Sequence, residues 1–110
     1  MHISENNGTF TAQHVTGPTN NMLRLKIGRG ESQSFDVSVL PPIGACRHDD
    51  GLTVQEIALA IEAGLADANA ALNADYIVKA AAIVENDTRQ HGIYEYLTRK
   101  IIETAAARAE

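Results

Sequence analysis

The apolar residues change their period once along the chain, near residue 53, and this change constrains the fold more than any other feature. Before it they alternate. Residues 9–15, "TFTAQHV", set Phe10, Ala12 and His14 against Thr9, Thr11, Gln13 and Val15. Residues 22–27, "MLRLKI", set Leu23, Leu25 and Ile27 against Met22, Arg24 and Lys26, and residues 34–40, "SFDVSVL", set Phe35, Val37 and Val39 against Ser34, Asp36 and Ser38. A period of two is that of a strand with one packed and one wetter face. After residue 53 the apolar positions are Val54, Ile57, Ala58, Ile61, Leu65, Ala68 and Leu72, which share one stripe of a helix. "YIVKAAAIVE" (76–85) returns to period two, and Tyr94, Leu97, Ile101 and Ala105 return to the helical period. The order is β-β-β-α-β-α.

The boundaries carry their own signals. Thr53 and Glu56 have capping-box spacing, Leu52 and Ile57 the spacing of a hydrophobic staple, and Asn73 suits a left-handed stop. Asp87 or Thr88 opens the second helix, with Gln90 three residues beyond Asp87. "NNG" (6–8) is a hairpin signal, so residues 1–7 form either a short extra strand or a loose terminus. "GPTNN" (17–21) and "GRGE" (28–31) read as turns. Loops this short imply that the first three strands pair as an antiparallel meander. On that basis Arg24 and Lys26 share the wetter face with Asp36. The helical crossover then sets the third and fourth strands parallel. The expected fold is α+β: a single domain over 1–110, a two-layer sandwich with a four-stranded mixed sheet and two helices on one face.

Composition narrows the function classes. Nine basic residues stand against fourteen acidic ones, a net charge of −5, which disfavours a nucleic-acid partner needing a basic face. One cysteine, Cys46, forms no internal disulfide. No apolar run is long enough to span a membrane, and "MHISENNG" lacks the features of a signal peptide, so the expected location is cytoplasmic.

The strongest concentration of chemistry is "CRHDDG" (46–51), just ahead of the first helix. The crossover places the segments that leave the third and fourth strands at one end of the domain. Cys46, Arg47, His48, Asp49 and Asp50 should therefore share a rim with Glu85, Asp87 and His91, at the carboxyl ends of parallel strands where open α/β sheets place ligands. Arg89 belongs to the same loop. Several readings compete there. His48, Asp49, Asp87 and His91 offer N and O donors suited to a divalent metal, although their spacing matches no metal signature. Cys46 beside Arg47 and His48 has the surroundings of a nucleophilic thiolate, although a lone cysteine is usually a small buried hydrophobe. The simplest account is that Asp49, Asp50, Glu85 and Asp87 cap helices and complement their dipoles, with Arg47 and His48 solvated. A small anionic ligand at the two helix N-termini is a further reading, which the acids there oppose. His14, beside Phe10 and Ala12, reads as a hydrogen-bonded half-buried histidine. The Ala-rich "ETAAARAE" either extends past the domain or docks on a partner.

The succession "GRGESQSFDVSVLPP", then "IALAIEAGLADA", a strand and a closing Ala-rich helix is similar to the fourth domain of translation elongation factor G over roughly residues 28–107. The resemblance implies the same element order with a left-handed crossover, and a translation-associated RNA contact. That contact needs a basic edge, for which Arg24, Lys26, Arg29 and Lys79 are the candidates. The chain has no GTPase domain, and its segment after "LPP" is shorter and differently composed.

The periodicity also leaves the sheet face opposite the helices apolar. Strict alternation puts Ile77, Ala81 and Ile83 there beside Met22 and Val15, a patch expected to be buried against a second copy. The first functional expectation is accordingly a small homo-oligomeric binding or scaffold module, and the second is an enzyme using the 46–50/85–91 rim.

Overall fold

The computed structural model describes residues 2–16, 19–31, 34–40, 53–84 and 92–109. They form an α+β fold: a five-stranded mixed sheet with two helices against one face. The strands are β1 (His2–Asn6), β2 (Thr9–Thr16), β3 (Thr19–Arg29), β4 (Val37–Leu40) and β5 (Tyr76–Val84), and the helices are α1 (Val54–Leu72) and α2 (Ile93–Ala109). The sheet order is β1-β2-β3-β5-β4.

The first hairpin follows from its turn. Asn7 and Gly8 both have positive φ, 52° and 83°, the pattern of a type I′ turn whose twist matches the flanking strands. The Glu5 carboxylate accepts from the Gly8 N–H at 2.9 Å. Residues 2–6 are therefore a fifth strand and not a loose terminus. Thr19, Asn20 and Asn21 of "GPTNN" belong to β3, and Thr16 and Thr19 are register partners.

Two expectations about the sheet are corrected. First, the strand of residues 37–40 does not continue the meander. β5 enters between β3 and β4, antiparallel to β3 and parallel to β4. "GRGE" is consequently no hairpin turn: Gly28 and Arg29 belong to β3, and the Gly30 N–H donates to the Asp75 carbonyl at 3.2 Å. Pairing β5 with β3 sets two long strands side by side, whereas the four residues of β4 offer little ladder and take the edge. Asp36 is thus no cross-strand neighbour of Arg24 or Lys26.

Second, β5 does not alternate strictly. Ile27 pairs with Val78 and Lys26 with Ala80, so Lys79 is an extra residue in a β-bulge. The bulge shifts the phase of the strand. Tyr76 and Val78 before it, and Ala81 and Ile83 after it, all face the helices and are buried. The apolar patch expected on the other face loses Ala81 and Ile83 to the core. Ile77 and Met22 are also buried, though outside the main cluster.

The core lies between the sheet and the two helices. Phe10, Leu23, Leu25, Val78 and Ile83 meet Ile57, Ile61, Tyr94, Leu97, Ile101 and Ile102. α1 begins on the full capping box: the Thr53 hydroxyl accepts from the Glu56 N–H at 3.1 Å, and the Glu56 carboxylate accepts from the Thr53 N–H at 3.2 Å. It ends at Asn73 in the left-handed region, φ 51°. The stripe of α1 differs from the expected one at both ends. Val54 and Leu72 are exposed, and Gly64, absent from the pattern, is buried against α2. A Cβ at Gly64 would lie 2.5 Å from the Glu95 carbonyl oxygen and 3.0 Å from Thr98 Cβ. The Ala-rich end of α2 packs on its own sheet, where the Arg108 guanidinium sits 5.8 Å from the Phe10 ring centre.

Candidate functional site

Leu40 of β4 and Val84 of β5 are register partners, so the segments leaving the two strands start side by side. The residues expected at that rim, Cys46, Arg47, His48, Asp49, Asp50, Glu85, Asp87 and His91, lie outside the described residues, as do Leu52, Thr88, Arg89, Gln90 and the side chain of His14. Among the described residues, no three His, Cys, Asp or Glu side chains cluster as metal ligands would.

Two other features take shape. The first is the sheet face turned away from the helices. Pairing brings Ser4 of β1, Thr9 and Thr11 of β2, Arg24 and Lys26 of β3, Ala80 and Ala82 of β5 and Ser38 of β4 to it. The bulge adds Lys79. A Cβ at Gly28 would sit 2.6 Å from Lys79 Cε, so the lysine stem lies across the glycine next to Lys26. Arg24, Lys26 and Lys79 thus form an exposed row of cations along β3. Arg24 and Lys26 are about 6.8 Å apart along the strand. Their neighbours across the sheet are uncharged: Thr11 and Ala82 beside Arg24, Thr9 and Ala80 beside Lys26. Arg24 Nε donates to Thr11 Oγ1 at 3.3 Å, a contact that leaves the charge unneutralised. A shallow concavity of about 580 Å³ opens over this face, lined by Ser4, Asn6, Thr9, Thr11, Arg24 and Lys26. Glu5 lines it as well, its carboxylate accepting from the Gly8 N–H at 2.9 Å.

Arg29, the fourth candidate for a basic edge, is elsewhere. It bonds Asp75, and its guanidinium stacks 4.6 Å from the Tyr76 ring centre. The hydrogen bond to Asp75 raises its pKa above the ordinary value, so this side chain holds its charge at any working pH.

The second feature is a cavity of about 430 Å³ between α1 and the first half of β5, lined by Phe35, Glu62, Leu65, Asn69, Asp75 and Val78 among others. β4 pairs only with residues 81–84 of β5. Further back, the Asn69 carboxamide takes the place of a strand. It donates to the Tyr76 carbonyl and accepts from the Tyr76 N–H, both at 2.9 Å.

Together the fold and the face define a small α+β protein with a hydroxyl-rich sheet surface crossed by a row of cations. Compared with known proteins, the chain matches no family model, no curated protein and no solved structure. Among the described residues, no helix is long and apolar enough to cross a membrane.

The alternation of Arg24 and Lys26 in "MLRLKI" was the signal for this face. Strict alternation over residues 76–85 sets Lys79 on the side opposite Tyr76, and its stem lies there, over Gly28. The companions expected for it, Ala81 and Ile83, are replaced by Ala80 and Ala82 because of the bulge.

Proposed function

We propose that this chain is a small binding or scaffold module that docks an acidic protein surface on its open sheet face. The observation that carries the reading is the segregation of charge: a chain of net charge −5 presents Arg24, Lys26 and Lys79 together on one face, with threonine and alanine as their cross-strand neighbours. Positive and negative patches that meet across an interface steer association and fix its register. Ala80 and Ala82 keep the floor low enough for a packed element to lie on it.

A protein partner suits this face better than a nucleic acid. Single strands are held by aromatic side chains on which bases stack, and Phe10 and Tyr76 are buried on the helix side. The net negative charge also opposes a phosphate backbone at long range.

The test is salt-dependent retention on immobilised poly-L-glutamate. The wild type is expected to be held at low ionic strength and released by salt, and R24E/K26E/K79E to pass through while keeping the wild-type circular dichroism. No retention of the wild type, equal retention of the variant, or stronger retention on single-stranded RNA would overturn the reading.

A further inference from the structure

The outer surface of α1 has the opposite character to the sheet face. The helix contains Glu56, Glu62 and Asp67 and no lysine or arginine. Glu56 is committed to the cap, which leaves Glu62 and Asp67 exposed. Between them, at about 100° per residue, Leu59, Ala63, Ala66 and Ala70 form a narrow strip on the side opposite Ile57, Ile61, Gly64 and Ala68, with Glu62 and Ala66 at the mouth of the cavity beside β5. Leu59 is 64% exposed, the most exposed of the large apolar side chains among the described residues. α1 therefore turns outward an apolar strip with an acid on each side, while the sheet turns outward two alanines beside a row of cations.

The two surfaces are complementary in charge and in relief. Small residues on both sides allow close approach, and with the strip laid on Ala80 and Ala82 one of its two acids comes over the row of Arg24, Lys26 and Lys79 on the β3 side. We infer that the acidic surface docked on the open sheet face is α1 of a second copy of this chain, an inference that rests on the reading above. The contact is heterologous, since α1 of one protomer meets the sheet of the next. It repeats either until a ring closes or as an open filament.

The experiment is sedimentation at increasing protein concentration and low ionic strength, with R24E/K26E/K79E, E62K/D67K and their equimolar mixture beside the wild type. The wild type is expected to rise from the protomer mass of 11.8 kDa to two or more protomers, and to return to one in high salt. Each variant alone should stay a monomer, because its two surfaces then carry like charges. The mixture should associate again, because each reversed surface finds its complement on the other variant. R24A/K26A/K79A and L59K, milder changes at exposed positions, should weaken association if a reversal variant fails to fold. A wild type that is monomeric throughout but still held by poly-L-glutamate overturns self-docking and leaves the sheet-face reading standing. A wild type that neither associates nor is retained overturns both. Association unchanged by E62K/D67K, or a mixture that stays monomeric, overturns the assignment to α1.

Discussion

Replacing Gly64 by alanine opposes two effects of known size. Intrinsic propensity favours the change: glycine inside a helix costs about 1 kcal/mol relative to alanine. Packing opposes it. The new methyl would stand 2.5 Å from the Glu95 carbonyl oxygen, 3.0 Å from Thr98 Cβ and 3.2 Å from the Glu95 carbonyl carbon. Carbon and carbonyl oxygen meet comfortably at ~3.3 Å or more, so the shortfall is roughly 0.8 Å. The obstructing atom belongs to the backbone of α2 and has no rotamer to adopt. The helices must separate, loosening Tyr94 and Leu97 against Ile57 and Ile61. Overpacking of this kind costs ~1–3 kcal/mol, and a rigid obstruction puts this case near the upper end. The expected net effect is a loss of about 1–2 kcal/mol, or roughly 4–8 °C in Tm per kcal/mol for a domain near this size. Urea and thermal unfolding followed by circular dichroism at the helix band measure it. Ala63→Gly is the control: its side chain is exposed, and it should lose about 1 kcal/mol from propensity alone. A Gly64→Ala protein as stable as the wild type, or more so, would show that the α1–α2 approach does not depend on the missing methyl.

The remaining predictions concern the ends of the two long elements. Asn69→Ala removes both hydrogen bonds to the Tyr76 backbone and should cost about 1–3 kcal/mol, since a partly buried donor and acceptor lose their partner; faster amide exchange at Tyr76 would locate the effect, and unchanged exchange would count against it. Thr53→Ala removes the hydroxyl half of the capping box and should cost about 1 kcal/mol. Exchange should rise in the first turn of α1 and not at Asn73, and a uniform rise along the helix would argue against a local cap.

The contrast between the two halves of β5 shows how far periodicity reaches. "YIVKAAAIV" was recognisable as a strand, and apolar residues on both its faces suit a strand that is either central or covered on both sides; the structure makes it central, between β3 and β4. The side on which Ala81 and Ile83 stand was not recognisable, because one extra residue inverts the phase of all that follows it. Nothing in the local composition marks Lys79 as that residue. The bulge exists because Ile27 and Lys26 of β3 take Val78 and Ala80 as partners. The same limit applies to the surface now offered as the site. Arg24 and Lys26 show in the alternation of one strand. That they face Thr11, Thr9, Ala82 and Ala80, and not Asp36, depends on which strand lies next to β3.

What the sequence determined by itself is what neighbouring residues settle among themselves: a helix opened by Thr53 and Glu56 and closed at Asn73, a hairpin turned at Asn7 and Gly8, and strands where apolar residues alternate. These are short-range hydrogen bonds and dihedral preferences, and they act whatever the rest of the chain does. The tertiary structure decided the order of the strands, the bulge at Lys79 and the seat of Gly64 against α2. Each of these is a contact between residues far apart in the chain, chosen because it pairs more backbone and fills the core better than the alternatives. The cationic face belongs to this second group, since an uncharged setting for Arg24, Lys26 and Lys79 arises only once β5 has taken its place beside β3.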